Sequence, residues 1–320
     1  MRAKRRTLLV LLGLIVLAAA ALALLTWAGR REERAASAAG EGTIPLSSFA
    51  VEDLTALEYT WQGETVSLSY DGTDWTLSDD PDYHLDQTKC DAMAAALADL
   101  KAKRRLDAQP GEDYGFAAPL LTVSVTASGQ TDTFTFGDTN TITGDVYLQK
   151  EGEDAVYTAA SAKAGCFEYG KADLFEPFNP AGLTASRLER IEYTRSGGET
   201  VRLQAVSVPD AEKSADSSAY TTVWRLEGEP DAALDEEKTD ALLSALSGYV
   251  TGQITGADPS ACGFDQPLVT LSASDGEKDY ALTYAAGTDG YYLMVEGDSS
   301  IFTVDGAVLD AFVPAEELKT

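Results

Sequence analysis

The decisive stretch of the sequence reads Tyr114-Gly115-Phe116-Ala117-Ala118-Pro119-Leu120, and it returns 148 residues later as Cys262-Gly263-Phe264-Asp265-Gln266-Pro267-Leu268. In both copies we expect the glycine to take the positive φ of a tight turn and the phenylalanine to plug a core. The proline suits the first position of a strand, where the ladder needs no donor. Self-similarity at a steady spacing is typical of duplicated units, so this element predicts that the sequence around it repeats as well.

The flanking sequence does repeat, in the same order in both copies. The matched pieces are Leu57-Glu58-Tyr59-Thr60 with Ile191-Glu192-Tyr193-Thr194, Glu64-Thr65-Val66 with Glu199-Thr200-Val201, Trp75-Thr76-Leu77 with Trp224-Arg225-Leu226, Leu85-Asp86 with Leu234-Asp235, Tyr147-Leu148 with Tyr292-Leu293, and Val156-Tyr157-Thr158 with Ile301-Phe302-Thr303. The spacing jumps within Ala205–Thr222, so about fourteen extra residues stand there in the second copy. We therefore predict two tandem repeats, residues 49–180 and 181–320.

Each repeat is predicted to be an α+β unit, with a mostly antiparallel β-sheet and one main α-helix. The polar and apolar residues of Thr65–Tyr70 alternate, which is typical of a half-buried strand. Short polar links between neighbouring strands favour hairpins. The predicted strands are residues 54–60, 64–70, 120–127, 131–137, 145–150 and 154–158 in the first copy, and 268–274, 279–285, 290–296 and 300–304 in the second. A short strand at Trp75 has its counterpart at Trp224, and we expect both indoles to occupy one shared core position.

One helix is predicted in each repeat, with an aspartate at its start. Asp86 and Asp235 suit the N-cap because their short side chains can accept a backbone N–H of the first turn. Apolar residues four and three positions apart then form one stripe along the helix. The stripe residues are Met93, Leu97 and Leu100 in the first copy and Leu242, Leu246 and Tyr249 in the second.

The N-terminus predicts a membrane anchor. Residues 7–28 carry no charged side chain and are numerous enough to cross a bilayer as a helix. Basic residues before this run favour a cytoplasmic N-terminus and an extracytoplasmic remainder. We expect residues 1–29 to form a basic tail and a transmembrane helix, and residues 30–48 to form a flexible tether. A signal peptide cleaved near Ala36-Ser37-Ala38 is the alternative.

The charge balance argues against a nucleic-acid partner. The chain has a net charge of −28, and residues 1–34 hold seven of its 24 basic and two of its 52 acidic side chains, so residues 35–320 sum to −33. Such a surface repels nucleic-acid phosphates and anionic lipid headgroups. It favours solubility, cations or a basic partner, and leaves membrane lipid to residues 7–28.

Residues suited to catalysis or to metal binding are sparse. His84 is the only histidine and lies in a polar stretch before the first helix, so we interpret it as a turn or surface residue. Cys90, Cys166 and Cys262 are too widely spaced for a zinc motif or a disulfide framework. No glycine-rich phosphate-binding motif is present. The sequence predicts no catalytic residue, no cofactor and no metal site.

Two weaker hypotheses rest on carboxylates and on tryptophans. The carboxylates of Asp79–Asp82, or the stretch Asp138–Asn140, could bind calcium weakly, although the second lacks the glycine and the final acid of a calcium loop. Trp61, Trp75 and Trp224 could stack on sugars, but the equivalence of the last two favours a core position.

The order of Trp-x-Leu, a Leu-Asp-capped helix, Tyr-Gly-Phe-x-x-Pro and Val-Tyr-x resembles the uncharacterised bacterial family catalogued as domain of unknown function 4340. In that family the turn element usually reads Tyr-Gly-Leu-x-x-Pro; this chain has Phe116 at the leucine position and Cys262 at the tyrosine position of its second copy. The resemblance spans roughly residues 49–310. It implies an N-terminal anchor in a bacterial cell membrane and a role beside a gliding-motility-type ABC transport system. It supplies no catalytic residues.

Three function classes follow from these observations. The first is a non-catalytic binding or scaffolding module tethered outside the membrane, with ABC transporter components as its partner. The second is an extracytoplasmic receptor for a small ligand or a cell-wall glycan, bound in a concave site. The third is a hydrolase that uses paired carboxylates, for which no recognised motif is present.

Overall fold

The computed structural model describes residues 42–107, 111–209 and 220–320. These residues form two compact units. The first comprises the described residues up to Trp75 together with Gln87–Gly170, and the second comprises Thr76–Asp86 together with Lys171–Thr320. The units therefore differ from the sequence repeats in two short stretches, Thr76–Asp86 and residues 171–180, which both belong to the second unit.

Ten strands occur in the described residues up to Gly170. They are β1 (Ile44–Pro45), β2 (Leu54–Trp61), β3 (Glu64–Tyr70), β4 (Trp75–Leu77), β5 (Lys101–Ala102), β6 (Arg104–Leu106), β7 (Leu121–Ala127), β8 (Gln130–Thr139), β9 (Asp145–Lys150) and β10 (Val156–Ala160). Eight of them form one sheet in the order β4-β3-β2-β7-β8-β9-β10-β6, while β1 pairs with β5. The strands pair antiparallel, as short connections require.

The second copy forms another eight-stranded sheet. Its strands are β11 (Arg190–Arg195), β12 (Thr200–Pro209), β13 (Tyr220–Leu226), β14 (Gly252–Ile254), β15 (Val269–Ser274), β16 (Asp279–Ala286), β17 (Tyr291–Val295) and β18 (Ile301–Val304). The order, β13-β12-β11-β15-β16-β17-β18-β14, matches the first sheet position for position. The register matches too, since Tyr59 lies opposite Val123 and Tyr193 opposite Leu271. The predicted α+β class with antiparallel sheets is confirmed.

Strand boundaries agree with the predictions to within about two residues, but the two prolines do not open their strands. β7 begins at Leu121 and β15 at Val269, so Pro119 and Pro267 precede the ladder by two residues. Proline has no N–H, and pairing begins only where the chain can donate. In the second copy, the N–H of Leu268 already donates to Tyr284 O at 2.8 Å.

Three α-helices occur in the described residues: α1 (Gln87–Ala98), α2 (Ala162–Gly165) and α3 (Glu236–Leu246). In the first copy, Met93 and Leu97 of α1 are buried, and so is Leu100 just beyond its end. This stripe is confirmed.

The stripe predicted for the second copy is wrong at its last residue. Leu242 and Leu246 are buried, but Tyr249 is 70% exposed, and Val250 is buried in its place at 1% exposure. The helix ends at Leu246, so helical spacing no longer decides which side chain points inward.

The tether prediction is wrong for residues 44–47. Ile44 and Pro45 pair with Ala102 and Lys101 as β1 and β5. Ser47 is buried, and its hydroxyl donates to Leu97 O and accepts from Leu100 N. These residues are therefore part of the first unit, and residues 30–41 lie outside the described residues.

None of the helices in residues 42–107, 111–209 and 220–320 is long and apolar enough to cross a bilayer. The predicted anchor, residues 7–28, lies outside the described residues.

Candidate functional site

The two turn glycines are required by the close approach of a neighbouring strand. Gly115 has φ +82° and Gly263 has φ +86°, as predicted. A Cβ on Gly115 would lie 2.5 Å from Asp138 N, and a Cβ on Gly263 would collide with Ala286 O. Asp138 and Ala286 are the corresponding positions near the ends of β8 and β16. The recurring glycine thus holds the turn against the sheet in each copy, which is a structural role.

The two phenylalanines beside these glycines are only half-buried. Phe116 and Phe264 were predicted to plug the cores, but neither is fully enclosed. Phe264 packs at the margin of a small cluster of Cys262, Tyr292 and Ile301. Each ring therefore closes the edge of its core rather than filling the centre.

A repeated tyrosine fills the centre of each core instead. Tyr59 and Tyr193 are both 1% exposed. Tyr59 packs edge-on against Phe167, with ring centroids 5.6 Å apart, and Tyr193 packs edge-on against Phe312 at 5.4 Å. Each hydroxyl donates to a backbone carbonyl after its phenylalanine, at Tyr169 and at Val313. The repeated Glu-Tyr-Thr pointed to the tyrosines, and the phenylalanines stand 145 residues apart, the same spacing as Val156 and Ile301, so that spacing could have revealed them.

The two tryptophans do not share one environment. Trp75 is 2% exposed, stacks on Tyr70 with ring centroids 4.7 Å apart, and donates from Nε1 to Asp91 Oδ1 at 3.1 Å. Trp224 is only half-buried. The shared core position is therefore wrong for the second copy. The reason is that Ala205 stands where the first copy has Tyr70, so the second indole lacks the stacking ring. A sugar-stacking surface that includes the buried Trp75 is likewise contradicted.

The helix starts are alike in their backbone pairing. Asp235 caps α3, because its side chain accepts from Lys238 N at 3.2 Å, as predicted. α1 begins directly after Asp86, at Gln87. The N–H groups of Asp86 and Asp235 each donate to a leucine carbonyl near the end of their copy, Leu174 O and Leu318 O, at 2.8 Å.

The only histidine of the chain is tied into the second unit. The His84 ring stacks on Phe178 with centroids 4.0 Å apart, and its Nδ1 lies 2.8 Å from Glu176 O. A carbonyl oxygen only accepts, so Nδ1 carries the proton. The backbone of His84 pairs with Glu176 and with the side chain of Gln253. His84 is therefore held by both its ring and its backbone, and is more firmly fixed than the turn or surface residue that the sequence predicted.

Gln253 organises a polar cleft of about 430 Å³ around this histidine. Its Oε1 accepts from His84 N at 2.9 Å, and its Nε2 donates to Asp82 O and to Ser300 Oγ, both at 2.9 Å. Asp298 lies beside it and accepts from Ser300 N at 2.8 Å. The cleft is open and its polar groups are fixed, so it could accept a small polar molecule without rearrangement. Sequence analysis missed it because Gln253 and Ser300 belong to no motif.

A second groove, of about 580 Å³, lies over β11, β12, β15 and β16. Arg202 forms a bidentate pair with Glu192, at 2.9 and 3.2 Å, and reaches Glu227 at 3.8 Å. Both partners of the bidentate pair are about half exposed, so the pair contributes little stability. The charges of Arg202 and Glu192 already neutralise one another.

Two aspartates hold hairpin turns and have lowered pKa values. Asp71 accepts from Asp74 N and Thr73 N, and Asp275 accepts from Lys278 N and Glu277 N. These backbone N–H donors favour the ionised form and lower the pKa of each carboxyl group. A general acid needs a raised pKa, so both residues serve the turns rather than proton transfer.

The described ranges contain no group of three or more histidine, cysteine, aspartate or glutamate side chains arranged to hold a metal ion. In the first calcium candidate, Asp79–Asp82, the carboxylate of Asp80 pairs with Lys171 at 3.1 Å. All three cysteines are free, with Cys90 and Cys262 buried and Cys166 half-buried. Burial raises the pKa of the Cys166 thiol to about 11.

The longest edge strand of the two large sheets belongs to the second copy. β4, β6 and β14 each have three residues, whereas β13 has seven. Its first five residues, Tyr220–Trp224, carry no charge and face solvent wholly or in part, with Tyr220 66% exposed.

A family model described as Domain of unknown function (DUF4340) matches residues 75–267, more than half of the chain. The match runs from the first tryptophan strand to the second turn element and confirms the predicted family. No curated protein and no solved structure matches the chain. The chain therefore belongs to the family described as domain of unknown function DUF4340.

Proposed function

We propose that this protein is a non-catalytic binding or scaffolding module held at the outer face of a bacterial cell membrane. One observation carries the proposal: residues that recur between the copies build the fold. The repeated tyrosines fill the cores, and the repeated glycines allow a neighbouring strand to approach closely. Asp235 caps a helix. A duplicated enzyme would be expected to keep reactive groups within a shared cleft.

The location rests on the sequence. Residues 7–28 would contact membrane lipid, with the N-terminus in the cytoplasm and both units outside. The net charge of −33 on residues 35–320 would keep the units away from anionic headgroups and from nucleic acid. A module of this kind presents its surface within the reach of its tether from the bilayer.

The partner that we propose is a membrane protein, namely components of an ABC transport system of the gliding-motility type. This partner comes from the family resemblance. The open polar grooves offer surface for contact, whereas the histidine and the turn aspartates are already engaged by the fold.

Crosslinking in native membranes tests this proposal. The full chain would be tagged at its C-terminus, crosslinked in cells and purified in detergent. We expect transporter components to be recovered with the wild-type chain, and to be lost when residues 7–28 are replaced by a cleavable signal sequence. Recovery of the chain without any membrane protein would contradict the proposal.

The cleft around Gln253 favours a second candidate, a receptor for a small polar ligand such as a cell-wall fragment. Its polar groups are fixed before any ligand arrives, which lowers the entropic cost of binding. A thermal-shift screen of the full chain with wall fragments and divalent cations tests it. Stabilisation of wild type but not of Ser300→Ala would support the receptor, with the distant Ser124→Ala as a matched control. A flat response across the screen would exclude it.

A further inference from the structure

The edge of the second sheet is suited to pairing with another strand. An exposed edge presents unpaired N–H and C=O groups, and natural proteins usually protect it with short strands, charges or prolines. In the described sheets the edges at β4, β6 and β14 follow this rule by being three residues long. β13 has seven residues, and no charge or proline stands within Tyr220–Trp224.

We propose that β13 pairs antiparallel with β13 of a second copy of this chain, around a two-fold axis at Thr222. A two-fold interface brings the same patch of both subunits together, so the strand must suit itself. With the axis at Thr222, Trp224 faces Tyr220 of the second copy and Val223 faces Thr221. Aromatic pairs and β-branched pairs are among the cross-strand neighbours that stabilise a sheet.

The backbone geometry agrees with this register. Residues facing each other across the axis are both even-numbered or both odd-numbered. In an antiparallel ladder alternate residues point their N–H and C=O groups to the same side. Both members of each pair therefore direct their backbone groups alike, toward β12 or toward the second copy. The pairing needs no bulge in Tyr220–Trp224.

The local charge at this edge, unlike the net charge of the chain, suits a second copy. Residues 35–320 sum to −33, so two copies repel each other over most of their surfaces. Repulsion between exposed charges is screened beyond about 8 Å at physiological salt. Tyr220–Trp224 gives two copies a charge-free line of contact, whereas a cationic partner would find no carboxylate to pair with among these five side chains.

Opposite charges at the axis test the pairing. The full chain in a mild detergent would be measured by sedimentation velocity as wild type, as Thr222→Lys, as Thr222→Glu and as an equal mixture of both variants. We expect a wild-type dimer, a dissociation constant raised at least about tenfold in each variant by like charges facing each other, and dimers restored in the mixture. Thr131→Lys, which adds the same charge on the exposed face of β8, should leave the dimer intact.

Crosslinking gives a second measurement that does not depend on charged variants folding. Thr222→Cys should form a disulfide-linked dimer on oxidation, because facing residues of an antiparallel pair lie within bridging distance. A monomeric wild type, dimers that persist in both charged variants, or a mixture that stays monomeric would each overturn the proposal. A photocrosslinker at position 222 that captures a different protein would also overturn it.

Discussion

The hairpin of β3 and β4 and the hairpin of β12 and β13 occupy the same place in the two sheets, yet they end differently. In the first, residues 71–74 make a tight turn, and Tyr70 stacks on the buried Trp75. In the second, residues 206–223 stand in place of that turn, and Ala205 stands in place of the tyrosine. The strand order is unchanged, and the described part of the added residues, in β12 and β13, lengthens the edge of the sheet.

The largest difference should appear when each tryptophan is removed. Trp75→Ala should lower the free energy of unfolding by about 3–5 kcal/mol, because it deletes a buried indole and its stack on Tyr70. Trp224→Ala should cost less, about 1–2 kcal/mol, since the indole is only half-buried. Urea denaturation followed by far-UV circular dichroism measures both. Equal losses would mean that the two hairpins share one core position after all.

The turn glycines should show a slightly smaller effect, alike in the two copies. Gly115→Ala and Gly263→Ala should each cost about 2–4 kcal/mol, from the positive φ and from the collision with β8 or β16. Gly129→Ala is the matched control, because its φ is +76° but nothing lies near its Cβ, and it should cost about 1 kcal/mol. A loss at Gly115 no greater than at Gly129 would remove the argument from close approach.

The end of the second helix should distinguish two adjacent residues. Val250→Ala should cost roughly 1–2 kcal/mol because the side chain is buried, whereas Tyr249→Ala should change stability by less than about 0.5 kcal/mol. Thermal denaturation of the two variants measures this. A larger loss at Tyr249 would restore the stripe predicted from the sequence.

The smallest effect concerns the charge in the short turn. Asp71 has a lowered pKa in the folded state, so its ionised form adds stability above the unfolded pKa of about 3.9, and this stability is lost as the pH falls through the folded value. Asp71→Asn keeps an acceptor but removes the charge. The variant should be slightly less stable than wild type at pH 6 and equal to it near pH 2. A difference that grows on acidification would contradict the assignment.

Local signals predicted most of the fold. Alternation placed the strands near 121–127 and 269–274, and the glycine turns took the expected φ. Tyr249 was misplaced because helical spacing was carried past the helix end at Leu246. The fate of Trp224 depended on Ala205, nineteen positions earlier in the chain, so no local pattern could reveal it.

The candidate site was harder to predict than the fold. The cleft around Gln253 joins Asp82, His84 and Ser300, which lie far apart in the chain and match no motif. Only the paired segments of the second unit bring them together. The extra residues within Ala205–Thr222 indicated an insertion but no edge strand, and the place of β13 at the edge of the described sheet follows only from the strand order.

The central claim is that the second copy keeps the fold of the first and carries an added edge used for association. Sedimentation velocity of a grafted full chain tests it most directly: residues 205–223 are replaced by the sequence of residues 70–74, Tyr-Asp-Gly-Thr-Asp. The account predicts a compact, folded monomer under conditions in which the wild type is a dimer. A graft that unfolds, or that still sediments as a dimer, would contradict it.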